Sequence, residues 1–332
     1  MTTQSVGHPS YRNPLRRIEW VLDDSPLSRS AKATRVRHVL GGLFFGFGLL
    51  LLAINTTHGR VAFAPFAFLL LSLPILFNRL GRLGRYFLPV ILGLLAYGTA
   101  ASYVDTYKLT VHYQLQIDFD RWLGHGTIPT VWLQEHLYDG HPGWLESACV
   151  FFYAGHFTIP LALGLTLALL NRSRDFKFLM FTLLAVSVLA AITFLLAPTD
   201  PPWLAAKEGH LTGVQEILKQ ALRHVHLGAL AKLEGDASKY DVTAAAPSLH
   251  TAYPLVCLVT AVRARLPRVI GALLAVNLLS VVFAIVYLGE HYVFDVIAGA
   301  AYAAAALWIV SAAFAPDVEE RSSATAAVSG PM

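Results

Sequence analysis

The sequence predicts an all-α fold, a polytopic bundle of about eight membrane-crossing helices. Three observations predict it. Of the 332 residues, 55% are hydrophobic and only 14% are charged, with mean hydropathy +0.55, whereas a soluble domain carries about 25% charged residues. The apolar residues gather in runs close to the roughly 20 residues that cross a hydrocarbon core. Lys and Arg collect in short segments between alternate runs.

The elements follow in chain order. A polar, basic segment, residues 1–37, precedes the first run, which reads as a signal anchor rather than a cleaved leader. Three runs lie within residues 38–104, at 38–54, 61–77 and 86–104; Pro65 and Pro74 interrupt the second. An outer segment, 105–144, contains "LQIDFDRWLGHGTIPTVWLQEHLYDG". Runs at 145–170 and 178–197 come next. A second outer segment, 198–247, opens with "APTDPPWL". In it Val214, Ile217, Leu218, Ala221, Leu222 and Val225 recur at helical spacing, with Lys219 and Arg223 between them. That pattern predicts an amphipathic helix lying on the outer surface. Runs at 248–263, 269–289 and 292–314 complete the bundle, and the polar tail, 316–332, reads as disordered. The catalytic membrane domain is expected within 105–315.

Orientation follows from the basic residues. With both termini cytoplasmic, "NRLGRLGR", "NRSRDFK" and "RARLPR" are inner loops with three positive charges each. The net charge of +4 then reflects topology, and no nucleic-acid partner is expected. Trp122, Trp132, Trp144 and Trp203 fall near outer interfaces, where an aromatic belt is expected. Asp118 and Asp120 read as the start of an interfacial helix. Cys149 and Cys257 lie inside apolar runs, so no disulfide framework is expected.

Polar residues at the outer ends of the last spans carry the chemistry. The run at 248 opens with "PSLHTAYPL". Pro247 and Ser248 are helix-start residues, Ser248 as N-cap; His250 needs another explanation. Span seven runs outward and span eight inward, so His291 and Asp295 in "HYVFD" stand at the level of His250. His291 and Asp295 are four apart and share a face if the helix begins at His291. The carboxylate would hold one imidazole N–H and leave the other nitrogen as base or nucleophile. Helix N-termini add orphan N–H groups that favour an anion. A phosphate between the two imidazoles would suit transfer through a phosphohistidine. His156, deep in span four, is equally a structural residue or a substrate contact. A metal site is the chemical rival, because two His and one Asp can bind iron or zinc. The zinc-protease pattern H-E-x-x-H is absent, since Glu290 precedes His291 and no His follows four later. We therefore expect no metal and no cofactor.

"PSLH" followed by "HYVFD" resembles the last two signatures of the type 2 phosphatidic acid phosphatase superfamily, Pro-Ser-x-His and His-x3-Asp. "DFDRWLG", "PTVWLQ", "YAGHFTIP" and "PTDPPWL" are similar to the branch containing inositol phosphorylceramide synthase. The resemblance covers roughly 115–310 and implies a six-helix-type phosphatase or phosphotransferase core. It implies His291 as nucleophile, Asp295 as its orienting carboxylate, and His250 as general acid and then base. It also implies transfer of a phospho-alcohol headgroup, phosphoinositol, between membrane lipids at the outer face. The alternatives are a lipid phosphate phosphatase using water, and a transporter or scaffold with a degenerate site. The superfamily's phosphatases carry Ser-Arg ahead of the last His, where this chain has Ala284 and Ile285, and their Lys-x6-Arg-Pro motif has no counterpart at "APTDPPWL". That lack favours the synthase-like branch and leaves Lys207, Lys239, Tyr240 and Ser248 as phosphate-binding candidates. Asp200 stands where the branch tends to have a small residue.

Overall fold

The computed structural model describes residues 110–170, 172–227 and 244–314. The first three expected spans, the N-terminal segment, the tail, and the candidates Lys239 and Tyr240 lie outside the described residues. Those described form nine helices: α1 (Gln114–Leu123), α2 (Pro129–Leu137), α3 (Trp144–Leu169), α4 (Ser173–Leu196), α5 (Pro202–Lys207), α6 (Ile217–His224), α7 (Leu249–Arg263), α8 (Arg268–Tyr287) and α9 (Val293–Ala313).

The five long helices match the five apolar runs expected after residue 144. α4, α8 and α9 are long and apolar enough to cross a membrane. α3 is a fourth if its halves, Trp144–His156 and Thr158–Leu169, form one span, for they meet at 48°. Pro160 lies within α3; it lacks the N–H that would bond the carbonyl of His156, and its ring crowds that carbonyl. α7 is shorter. Its 15 residues extend about 22 Å at 1.5 Å per residue, less than the roughly 30 Å hydrocarbon core. Pro254 inside α7 stands four residues after His250, as Pro160 does after His156.

α7 is the central helix and packs against α3, α4, α8 and α9. Leu179, Leu183, Val186 and Phe194 of α4 meet Ala252, Val256 and Cys257 of α7 and Ala303 and Ala306 of α9. Lipid tails are as apolar as these side chains, so close contact and interhelical hydrogen bonds must hold such helices together. The small residues permit the contact. Tyr253 and Ser187 share a buried hydrogen bond of 2.7 Å, and Tyr302 reaches Thr193 at 2.6 Å. Leu273, Val276, Leu279 and Trp308 face outward, exposed as lipid-facing residues would be.

The short helices cover the end of the bundle that holds the histidines. α6 differs from its expected role on the surface. Its apolar face, Ile217, Leu218 and Ala221, is buried against Cys149 and Val150 of α3 and Ala284, Tyr287 and Leu288 at the end of α8. The apolar stripe is satisfied by protein rather than lipid. Trp203 also departs from expectation. Trp122, Trp132 and Trp144 are exposed, but Trp203 is buried, with the Lys219 ammonium 5.1 Å from its ring centre.

Gln134, the last residue of "PTVWLQ", fastens this cover. Its Nε2 donates to the carbonyls of Tyr287 (2.9 Å) and Gln215 (3.1 Å), and its Oε1 accepts from Gln215 N–H (2.7 Å). The neighbouring turn requires glycine. Gly289 has φ +84°, and a Cβ there would meet the Gln215 carbonyl at 3.1 Å and Gln134 Nε2 at 3.2 Å.

Candidate active site

Two chain segments bring the motif residues together. Ser248 caps α7: its Oγ accepts from Thr251 N–H at 3.4 Å, and its own N–H donates to the Asp295 carbonyl at 3.1 Å. α9 passes directly over this cap, because a Cβ at Gly299 would fall on the Ser248 carbonyl. The glycine lets α9 approach until His250, in the first turn of α7, touches His291. Ser248 is fully buried, and its hydroxyl caps its own helix.

His291 lies just ahead of α9, whose N-cap is Tyr292. The helix therefore begins two residues later than the four-residue spacing assumed. The pairing survives the shift. His291 Nδ1 lies 3.4 Å from Asp295 Oδ2, and that oxygen also accepts the Tyr292 N–H at 2.9 Å. His291 Nε2 lies 3.0 Å from His250 Nδ1. An N–H on His291 Nδ1 toward the carboxylate leaves Nε2 as the lone-pair nitrogen. His250 Nδ1–H is then the donor to it.

The two rings are thus in direct contact, where the sequence suggested a phosphate between them. A phosphoryl group must displace the His250 N–H from His291 Nε2 before that lone pair can react. His156 completes the cluster. Its ring centre is 3.8 Å from that of His250, with Tyr153 at 4.6 Å on the same imidazole, and its Nδ1–H donates to the Tyr153 carbonyl. The bend in α3 falls at this residue.

A second difference concerns the helix N-termini. Those of α9 were expected to offer free N–H groups to an anion. They are instead taken by the protein's own carboxylates. Asp120 of α1 accepts from Val293 N–H (Oδ2, 2.9 Å) and Phe294 N–H (Oδ1, 3.0 Å), while Asp295 takes Tyr292 N–H. Asp120 is fully buried, and burial pushes its carboxyl up to about 6 against the bonds from Val293 and Phe294. The sequence reading gave Asp120 no such role. One signal was available: Asp120 stands three residues after Ile117 on α1, so the two share the buried face.

The loop "PTDPPWL" spans the site from above. Thr199 Oγ1 accepts from Ala246 N–H (2.7 Å), the Thr199 carbonyl from Ala245 N–H (3.1 Å), and Trp203 N–H donates to the Gly289 carbonyl (3.1 Å). The loop so ties the segment before α7 to the turn before α9. Asp200 within it is buried, and desolvation, reinforced by Glu208, pushes its carboxyl up to about 7. Lys207 is exposed at the end of α5. Ala284 and Ile285, where Ser-Arg would stand, are fully buried packing residues. Among the described residues no group of three or more His, Cys, Asp or Glu is placed to hold a metal ion.

The described residues thus form a bundle of apolar helices whose covered end holds His250, His291 and Asp295. The family model of the PAP2 superfamily matches residues 114–309, and the chain belongs to that superfamily. Its superfamily and its long apolar helices make it an integral membrane protein. Its relatives include the curated phosphoinositol dihydroceramide synthase of Bacteroides thetaiotaomicron, 28% identical over 155 residues. That match covers 45% of this chain and 50% of the relative, so the chain spans about half the length of the protein it matches. No solved structure gives a significant match.

Proposed function

We propose that the protein transfers a phospho-alcohol headgroup, phosphoinositol, from a donor phospholipid to the hydroxyl of an acceptor lipid or glycolipid. The observation that carries the reading is the division of His291's two nitrogens, Nδ1 toward Asp295 and Nε2 toward His250. His291 Nε2 attacks the donor phosphorus, and the bond from phosphorus to the diacylglycerol oxygen breaks. His250, which enters this step as the imidazolium, gives one proton to that leaving oxygen and is left neutral. The headgroup is then held on His291, whose ring charge Asp295 balances. The acceptor hydroxyl attacks the same phosphorus while His250 takes its proton, and the N–P bond breaks.

Two further points support transfer over hydrolysis. His291 and Asp295 are buried, which limits water as a rival acceptor. The name of the Bacteroides thetaiotaomicron relative supports phosphoinositol as the group moved. Positive loops on the opposite side support cytoplasmic termini and an outer-facing site, with the catalytic domain within 105–315. Ser248, Lys207, Lys239 and Tyr240 remain the proposed phosphate ligands, with His156 beside His250.

The test is thin-layer separation of products from labelled phosphatidylinositol, with and without a lipid or glycan alcohol. Transfer gives an acceptor-dependent labelled lipid. Inositol phosphate released to water as the sole phosphorus product, with no acceptor-dependent lipid, would make the enzyme a hydrolase.

A further inference from the structure

We propose that Asp120 is a positioning residue for the histidine pair, holding the first turn of α9 to α1 so that His291 Nε2 meets the substrate phosphorus. The proposal rests on the reading of His291 as nucleophile. Asp120 does not touch the reacting atoms; it acts through the backbone.

Three observations carry it. First, one fully buried carboxylate accepts two consecutive N–H groups of α9, at 2.9 and 3.0 Å, from 173 and 174 residues away in the chain. A carboxylate shared by two successive amides fixes both the position and the rotation of that turn. Second, the turn so fixed begins two residues after His291 and contains Asp295, whose Oδ2 in turn holds Tyr292 N–H. Asp295 alone orients the ring relative to its own helix. Asp120 adds the reference to a different helix, as the Ser248 N–H to Asp295 carbonyl bond does from the α7 side. Third, α1 is itself anchored at this point. Phe119 meets Phe294 edge to face at 5.5 Å, and Ile117 packs in one buried cluster with Tyr292.

This arrangement has a chemical corollary. Asp120 and Asp295 between them occupy the N–H groups at the start of α9. The negative charge they place there opposes a phosphate settling on that helix end. The donor phosphate is left to the imidazoles, which is where attack by His291 requires it. Displacing reacting groups by about 1 Å can cost on the order of 100-fold in rate, so the loss of this tie is expected to show in kcat rather than in binding.

The experiment compares Asp120→Asn, Asp120→Ala, Asp118→Asn and His291→Ala with wild type in the labelled-lipid transfer assay. Each detergent-purified variant is first shown monodisperse with a measured melting temperature. Asp118 is the control on the same helix, exposed and paired with Arg121. The proposal expects kcat of folded Asp120→Asn to fall about 10–100-fold with KM within about twofold. It expects Asp120→Ala, which keeps no acceptor, to fall further, and Asp118→Asn to keep wild-type kcat. If Asp120→Ala does not fold, Asp120→Asn alone decides. An Asp120→Asn enzyme that melts lower but turns over at the wild-type rate overturns the proposal, since Asp120 would then serve the fold alone. Transfer that persists in His291→Ala overturns the nucleophile reading, and the proposal with it, and is distinguished by that variant alone.

Discussion

The chemistry proposed for His291 depends on which nitrogen meets which neighbour. Nδ1 faces Asp295 and Nε2 faces His250, so His291→Ala removes the attacking atom and is expected to abolish headgroup transfer in a folded protein. His250→Ala is expected to lower kcat by about 100–10,000-fold, the usual contribution of a general acid–base. Both are read from initial rates on labelled lipid. Asp200 gives a different prediction. Its buried carboxyl holds a proton more tightly folded, at about 7, than at its ordinary 3.8. Between those values the unfolded chain binds fewer protons, so this residue makes stability fall as pH rises toward 7, and the loss is complete above it. Asp200→Asn is expected to raise the melting temperature at pH 8 by about 2–4 °C, the change that 1 kcal/mol brings in a domain of about 150–250 residues. It should also flatten the dependence between pH 5 and 8. A mutant that melts lower at pH 8 would show that the charge is stabilised by its surroundings.

Among the elements, α7 and α9 decide the site, and their contact rests on a missing side chain. Gly299→Val would drive a side chain into the Ser248 carbonyl and push α9 off the start of α7. We expect it to cost about 1–3 kcal/mol from overpacking and to reduce activity more than Val at Gly271, where a Cβ meets nothing within 4 Å. Melting curves and transfer rates of the two variants check this. The same contact explains how much of the site could be read from sequence. "PSLH" and "HYVFD" placed His250, His291 and Asp295 at one end of the bundle, because antiparallel spans return their ends to the same level. What could not be read was backbone chemistry. Asp120 bonds to amides 173 and 174 residues on, and every residue but proline has an amide, so no sequence pattern marks the partners. His156 was ambiguous because its neighbour, His250, comes from a helix 94 residues later in the chain. The burial of α6 against α3 and α8 escapes the sequence for a related reason: amphipathic spacing gives the buried face but not whether lipid or protein buries it.

At the scale of the whole molecule, the described residues form a bundle with two unlike ends. One holds the histidines beneath α1, α2, α5, α6 and the proline-rich loop; the other carries Arg172, Arg174, Arg263, Arg265 and Arg268. Fold class was legible because composition and run length are dictated by the hydrocarbon core. The shortness of α7, 15 residues against 20 to 26 in its long neighbours, was not. Single cysteines placed at Arg265 and Gly140 are expected to be labelled from the inside and the outside, respectively, by a membrane-impermeant maleimide. The reverse pattern would turn the active site inward. The central claim, that the headgroup passes through His291, is tested most directly by rapid acid-free quenching of enzyme turning over inositol-labelled phosphatidylinositol. The account predicts label on the peptide carrying His291 in wild type, discharged on adding acceptor, and none in His291→Ala. Turnover without label on His291, or equal label in the His291→Ala enzyme, would contradict it.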